Sequence, residues 1–390
     1  MKIIYYSPHP THDIVSEVGY STHQREVINA LKNLGHTLIP VILGGTEKAN
    51  LNPLTHENYS PHPLKKILKK FVPGVLWTSS NNYKLRKHDT KAGKLLEKAI
   101  LEHQPDLIYE RSEYLQDSGT LMAKKYKIKH FLEVNAPFVE EMKAFEGPSL
   151  FHPKAHKIEE FKLKHADKVI SVSSSLANFL IKKYKCKADK IFIQPNCINP
   201  EKAIKKQSIS AEKQLRTIGF VGSIFPYHGV DILIKGFAIA LKSNADLKLM
   251  IVGDGKILPD MKALCADLNI VNHVDFMGKV PHQEVFGMID KMDICVMADS
   301  NWYGSPVKLF EYGLMEKSII APNTLPVQDV MEHDKDGLLI NNSPEEVANA
   351  ILKLVENTAE SQKMASHFHQ KVLSEYTWKH AAENIIQLCE

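Results

Sequence analysis

The 390-residue sequence predicts an α/β protein built from two doubly wound parallel-sheet domains. Three observations carry that expectation. Short apolar runs alternate with segments of helical periodicity from residue 2 to 196, and a second alternation of the same kind runs from 216 to 340. Between them one polar stretch, INPEKAIKKQSISAEKQL (198–215), breaks the order and reads as a linker. The length agrees, because beyond about 250–300 residues a single core stops growing and chains divide.

In the first half, KIIYYS (2–7) reads as a strand, STHQREVINALKNLGH (21–36) as a helix closed by Gly35, and TLIPVIL (37–43) as the next strand. This is a βαβ opening. DLIYE (106–110), KHFLEVN (129–135), DKVISVS (167–173) and KIFIQPN (190–196) continue the sheet. In the second half the strands are RTIGFVG (216–222), LKLMIVG (247–253), HVDFMG (273–278), DICVMA (293–298), SIIAP (318–322) and GLLI (337–340). The chain then runs into EYTWKHAAENIIQLCE, a helical pattern. The expected division is therefore 1–197, a linker at 198–215, 216–375, and a terminal helix at 376–390. Binding loops belong at the carboxyl ends of such strands, with a cleft between the two domains.

Composition narrows the class. Apolar residues at 44% and charged residues at 24% describe a globular protein, and a net charge of +4 is weak support for a nucleic-acid partner. The five cysteines, at 186, 197, 265, 295 and 389, form no CxxC pair and suit a reducing cytoplasm. No run approaches the ~20 apolar residues of a membrane span, and MKIIYYSPHP is too short an apolar run for a signal peptide. In HPLKKILKKFV (62–72), Leu64, Ile67, Leu68 and Phe71 keep helical spacing while Lys65, Lys66, Lys69 and Lys70 take the other face. That pattern fits peripheral contact with an anionic membrane at its inner, cytoplasmic face; a surface helix packed on its own domain fits equally. KAHKIEEFKLKHADK (154–168) reads as an ordinary charged helix.

The chemistry concentrates in the second half. In GFVGSIFPYHGVDILIKGF (219–237), Gly222 and Ser223 follow a strand and free backbone N–H groups for a phosphate. VGDG (252–255) is a second turn of this kind. Neither contains G-x-G-x-x-G, and no P-loop is present, which disfavours a dinucleotide enzyme or a P-loop nucleotidase. In GSPVKLFEYG (304–313), Ser305 reads as an N-cap with Pro306 at the first helical position. Lys308 then lies in the first turn, where the helix dipole disfavours a cation by about 0.3–1 kcal/mol. A diphosphate at that helix mouth resolves the conflict, with the backbone of Gly304, Ser305, Pro306 and Val307 and the Lys308 ammonium converging on it. Glu311, one turn on, suits a ribose diol, since an ionised carboxylate only accepts. The alternative is an i,i+3 Lys–Glu pair on a solvated face, worth ~0.2–0.5 kcal/mol.

In combination GFVGS, HGVD, LMIVGDG, FMGKVPHQEVFGMI, SPVKLFEYGLMEKSIIAP and DGLLI resemble the donor domain of retaining glycosyltransferases of family 4; VGYSTHQREVINALKNLGH is similar to the family's first glycine loop and helix, and DLIYERSEY with FLEVNAP resembles a bacterial cell-surface polysaccharide branch of it. That resemblance implies a GT-B fold of two Rossmann-like domains, with the nucleotide sugar on the C-terminal domain, the acceptor on the N-terminal one and a terminal helix that crosses back. It implies transfer from a nucleoside-diphosphate sugar to a glycan, lipid-linked or small-molecule hydroxyl with retention; since preorganised N–H dipoles and a cation can stabilise the charge on the departing diphosphate, no metal is expected. Carried onto this chain, Gly222, Ser223, Lys308, Glu311 and the 304–307 backbone are donor-site candidates, with Lys279 at the base. His23, Tyr20, Arg111, Glu133 and Asn135 are acceptor-side candidates. The chain departs from the family pattern at Ser223 and His228, where Arg and Lys are common, at Tyr303, where a first glutamate is common, and at Asn135, where a histidine is common. Lys308 offers a replacement cation, and His228 a further donor if protonated. A sugar-nucleotide-binding subunit that has lost catalysis and a nucleotide-sugar epimerase are the alternatives from other classes.

Overall fold

Strand β1 (Lys2–Ser7) lies inside the first sheet, and its residues 3–7 are buried on both faces, as a parallel sheet covered by helices requires. It pairs in parallel with β2 (Thr37–Ile42) on one side and β3 (Leu107–Arg111) on the other. β4 (Lys129–Val134), β5 (Lys168–Ser171) and β6 (Ile191–Ile193) extend that side, giving the order β2-β1-β3-β4-β5-β6. The second sheet holds β7 (Thr217–Val221), β8 (Lys248–Val252), β9 (Val274–Gly278), β10 (Ile294–Val296), β11 (Ser318–Pro322) and β12 (Leu338–Ile340) in the order β12-β11-β10-β7-β8-β9. Among the described residues the twelve strands are those read from the sequence, and every pairing between them is parallel. The structure, a computed structural model, describes residues 1–52, 72–202 and 216–389. The basic stretch at 62–72, apart from its last residue, and the linker from 203 to 215 lie outside the described residues.

The chain divides into two compact units, Met1–Gln194 with Ala381–Glu390, and Pro195–His380. In the first, Ile4, Tyr6 and Ile108 of the sheet pack on Ala92, Leu96 and Ile100 of the long helix Gly74–His103 and on Ala123. In the second, Ile218, Phe220, Leu249 and Ile251 pack on Leu233, Ile234 and Phe237 of helix Val230–Ser243 and on Val347, Ile351 and Leu354 of helix Pro344–Glu356. The 154–168 segment is less ordinary than its charge suggests. It forms helix His152–His165, in which Lys162 is fully buried and pairs with Glu159 at 2.7 Å. Lys162 Nζ also donates to Ser112 Oγ and the Glu113 carbonyl, both at 2.8 Å, and so clamps the loop after β3.

Candidate functional site

In each sheet the chain winds outward one way from its first strand and then the other, and the crevice beside that first strand is where loops diverge and ligands fit. In the second unit this switch point lies between β7 and β10. Gly222 and Ser223 leave the end of β7, and the segment 297–306 leaves the end of β10 and leads into helix Val307–Leu314. Tyr312 joins the two sides: it is fully buried, and its hydroxyl accepts from the Val221 N–H at 3.0 Å. Gly313 lets the same helix lie close on Phe368. Lys308 is thereby held against Gly222, whose φ of +148° favours glycine and where a Cβ would collide with Lys308 Cε. A cavity of about 190 Å³ opens beside them, lined by Tyr227, His228, Met297, Asn301, Ser305 and Lys308 among others. A larger hollow of about 700 Å³ in the first unit is lined by Lys129, Asp167 and Cys389, at the opposite edge of the sheet from the strand ends where ligands gather, so size alone is a poor guide.

The electrostatics of the crevice are unusual. His228 Nδ1 faces the Ser223 carbonyl at 2.5 Å, an acceptor only, so Nδ1 carries the proton and Nε2 offers its lone pair. Lys308 Nζ lies 3.3 Å from that Nε2 and donates to it, with the Phe220 ring 5.6 Å below. Burial, and then the Lys308 charge, push His228 down to about 4 against the pull of the Ser223 carbonyl. His228 is thus a neutral acceptor for Lys308, and the charged donor it could have been is not what the structure contains. Burial lowers Lys308 to about 8 despite Glu311, and raises Glu311 to about 7 despite Lys308 and Lys202. An ammonium in this position gains most from an anion brought in from outside.

The helix mouth differs from the sequence reading. The helix begins at Val307 with Pro306 in the capping position, and the Ser305 side chain, instead of capping, accepts the Asn196 N–H at 2.8 Å. The Gly304 N–H is held by Asn301 Oδ1 at 2.6 Å and the Val307 N–H by the Ser305 carbonyl at 3.0 Å, while Pro306 has no N–H to give. Of the 304–307 backbone this leaves the Ser305 N–H as a donor, with Lys308 as the principal cationic group. Tyr303 belongs to the same loop, its N–H directed at Asn301 Oδ1. Lys279 is exposed after β9, two strands from β7, and is not among the residues lining this cavity. The chain contains one Asp-x-Asp run, Asp334-Lys335-Asp336, a divalent-ion spacing that the expectation of metal independence overlooks. It precedes β12, at the other edge of the sheet from Gly222. Asp336 is buried and taken by His367, Lys371 and the Glu332 N–H, and Asp334 by Lys353.

In the first unit the switch point lies between β1 and β3, and it gathers four of the five acceptor-side candidates near one carboxylate. Glu133, 2% exposed, accepts from Arg111 Nη1 (2.9 Å), Tyr109 Oη (2.6 Å) and Asn135 Nδ2 (2.6 Å), and His23 Nε2 lies 2.9 Å away. Burial alone would raise its pKa; His23, Arg111 and Asn135 hold it well below the usual carboxylate range. With four partners its lone pairs are committed, so contact with a substrate falls to its neighbours. Tyr20 stands apart from them, donating to the Thr11 carbonyl and stacking on His12 at 4.3 Å. Sequence reasoning missed the adjoining trio. His9 lies against His12 with ring centroids 4.2 Å apart and the rings tilted by 31°, and His12 Nδ1 donates to Glu113 Oε1 at 2.7 Å. His12, with His9 and Arg111, outweighs burial and holds Glu113 down to about 2, while burial and His12 bring His9 down to about 3. The signal was present in SPHPTHD (7–13), two histidines three apart directly after a strand.

Two parallel sheets, each with its loops gathered at a switch point, and a cation aimed into the second, define an α/β protein of two Rossmann-like domains. The match is specific. Residues 19–202 fit the model of Glycosyltransferase Family 4 and residues 215–357 that of Glycosyl transferases group 1, so the chain belongs to the family 4 glycosyltransferases and has the GT-B fold. An uncharacterized glycosyltransferase of Methanocaldococcus jannaschii is 24% identical over 303 residues, 73% of this chain and 75% of that one. The GPI3 subunit of phosphatidylinositol N-acetylglucosaminyltransferase from Saccharomyces cerevisiae is 21% identical over 243 residues, and the match spans 60% of this chain and about half, 52%, of that subunit. Among solved structures, Anabaena Alr3699/HepE in complex with UDP superposes with a TM-score of 0.70 at 15% identity, covering 100% of this chain and 98% of that one; the same protein has been solved with UDP-glucose.

Proposed function

We propose that this glycosyltransferase moves a sugar from a nucleoside-diphosphate donor to a hydroxyl of a glycan or lipid-linked acceptor, with retention at the anomeric carbon and without a metal, in the synthesis of a surface polysaccharide or glycoconjugate. The observation that carries the reading is Lys308, a partly buried cation held against the Gly222 turn, whose nearest partner is a neutral imidazole. The anomeric C–O bond to the diphosphate breaks and the bond to the acceptor oxygen forms on the same face. The acceptor proton passes to the departing phosphate oxygen, which is why no protein base is assigned. Negative charge grows on that phosphate, and Lys308, moving from His228 to it, stabilises the change more than it stabilises the ground state. Glu311 accepts from the ribose diol once ionised. The first unit supplies acceptor contacts through His23 and Asn135, with Glu133 and Arg111 fixing their placement. That HepE holds UDP and UDP-glucose supports a nucleotide-sugar donor here.

The test is release of nucleoside diphosphate from uridine, guanosine, adenosine and thymidine diphosphate sugars, with cell-envelope lipid acceptors, in chelator. Release with an α-configured product from an α-configured donor is expected. No release with any donor, dependence on added manganese, or isomerisation of donor alone would each count against the proposal.

A further inference from the structure

Helix Gly74–His103 has 30 residues, so it extends about 45 Å, and among the described residues its buried positions lie on one side. Its buried residues, Thr78, Ser79, Asn82, Asp89, Ala92, Gly93, Leu96 and Ile100, fall on one side of the helix. At about 100° per residue the opposite side, an arc of about 120°, carries Lys84, Lys87, Lys91, Lys94 and Lys98, all exposed. The same arc carries Leu76, Tyr83, Leu95 and Leu101, which are 51%, 59%, 51% and 62% exposed. Glu102 is its one acidic residue.

That combination is unlike an ordinary solvated face. A helix kept soluble by charge mixes both signs and hides its leucines, whereas here large apolar side chains alternate with five lysines against one glutamate. We infer that this face of helix Gly74–His103 lies on an anionic lipid surface, its leucines and tyrosine entering the headgroup boundary and its lysines pairing with lipid phosphates. Lysine suits that place because its aliphatic stem can lie along the apolar boundary while the ammonium reaches the phosphate. A nucleic acid would engage the lysines and give Leu76, Leu95 and Leu101 nothing to contact. The inference does not depend on the donor-site chemistry, and it uses a different segment from the basic stretch at 62–72.

The full chain is to be sedimented with phosphatidylcholine vesicles containing 30% phosphatidylglycerol and with phosphatidylcholine alone. Two variants accompany it, one with Leu76→Gln, Tyr83→Gln, Leu95→Gln and Leu101→Gln, the other with Lys87→Gln, Lys91→Gln, Lys94→Gln and Lys98→Gln. Glutamine keeps helix propensity, and all eight positions are exposed, so an unchanged melting temperature confirms folding. Expected are binding to the anionic vesicles at least about tenfold tighter than to the neutral ones, weakened by salt, and a loss of about tenfold or more in each variant. No vesicle binding by the unaltered chain, binding unchanged in either variant, or preference for a DNA duplex over vesicles overturns the inference.

Discussion

Replacing Lys308 with methionine removes the ammonium and keeps most of the apolar stem that packs over Phe220. The structure gives opposite signs for the two consequences. Holding the lysine at about 8 means that its charge is disfavoured in the ligand-free protein. At about 1.4 kcal/mol per pKa unit, and reduced for the part of the side chain that remains exposed, Lys308→Met stabilises that state by about 1–3 kcal/mol at pH 7. Because the folded value is depressed, the penalty is present below about 8 and fades as pH rises toward the unfolded lysine value of about 10.5. Turnover moves the other way. Loss of one preorganised group facing developing oxyanion charge costs about 10²–10³ in kcat. The assay is initial-rate release of nucleoside diphosphate alongside thermal unfolding of the same preparation. A variant with turnover within about threefold of the unaltered protein refutes the phosphate role; one that is both slower and less stable refutes the claim that the charge is held at a cost.

Nucleoside-diphosphate affinity should follow a bell in pH, rising as the Glu311–Lys308 pair loses its first proton near 7 and falling as it loses the second near 8; calorimetry in buffers of differing ionisation enthalpy reads the protons taken up, and a flat profile from 6 to 9 contradicts the pairing. Gly222→Ala should abolish nucleotide binding with little change in fold, because the new Cβ takes the space of Lys308 Cε; an unchanged dissociation constant by calorimetry argues against the contact. Glu133→Gln should destabilise the protein by up to about 3–5 kcal/mol in denaturant titration, since the buried Arg111 loses its nearest carboxylate and keeps only the more distant Glu113, 3.8 Å away. Acid should do part of the same: Glu113 contributes stability above about 4.5 that is lost as pH falls through about 2, and Glu133, held below the usual carboxylate range by His23 and Arg111, adds to the same acid loss, so a melting temperature flat from pH 5 to 2 contradicts it.

The strands, their parallel pairing, Gly222 at a strand end and Lys308 in the first turn of a helix were legible because each depends on a local pattern: an apolar run, a glycine after it, a cation in the wrong turn of a helix. What escaped depends on sheet order, which brings distant residues together. His12 meets Glu113 across 101 positions, and Lys308 meets His228 across 80. The state of His228 follows from the Ser223 carbonyl, and the saturation of Glu133 from a tyrosine two residues before Arg111 on β3; neither has a spacing to announce it. Ser305 had the right chemistry for a cap, yet the Asn196 N–H reaches its hydroxyl first and the helix starts two residues later. Lys162 and Glu159 read as surface charge because composition cannot say which side of a charged helix meets the core.

The most direct test of the account is a crystal structure with the nucleoside diphosphate that binds tightest. The account predicts the terminal phosphate within hydrogen-bond distance of Lys308 Nζ, beside Gly222, with the lysine drawn off His228 and the ribose diol on Glu311. A diphosphate bound elsewhere, with the Lys308–His228 contact intact, would contradict it.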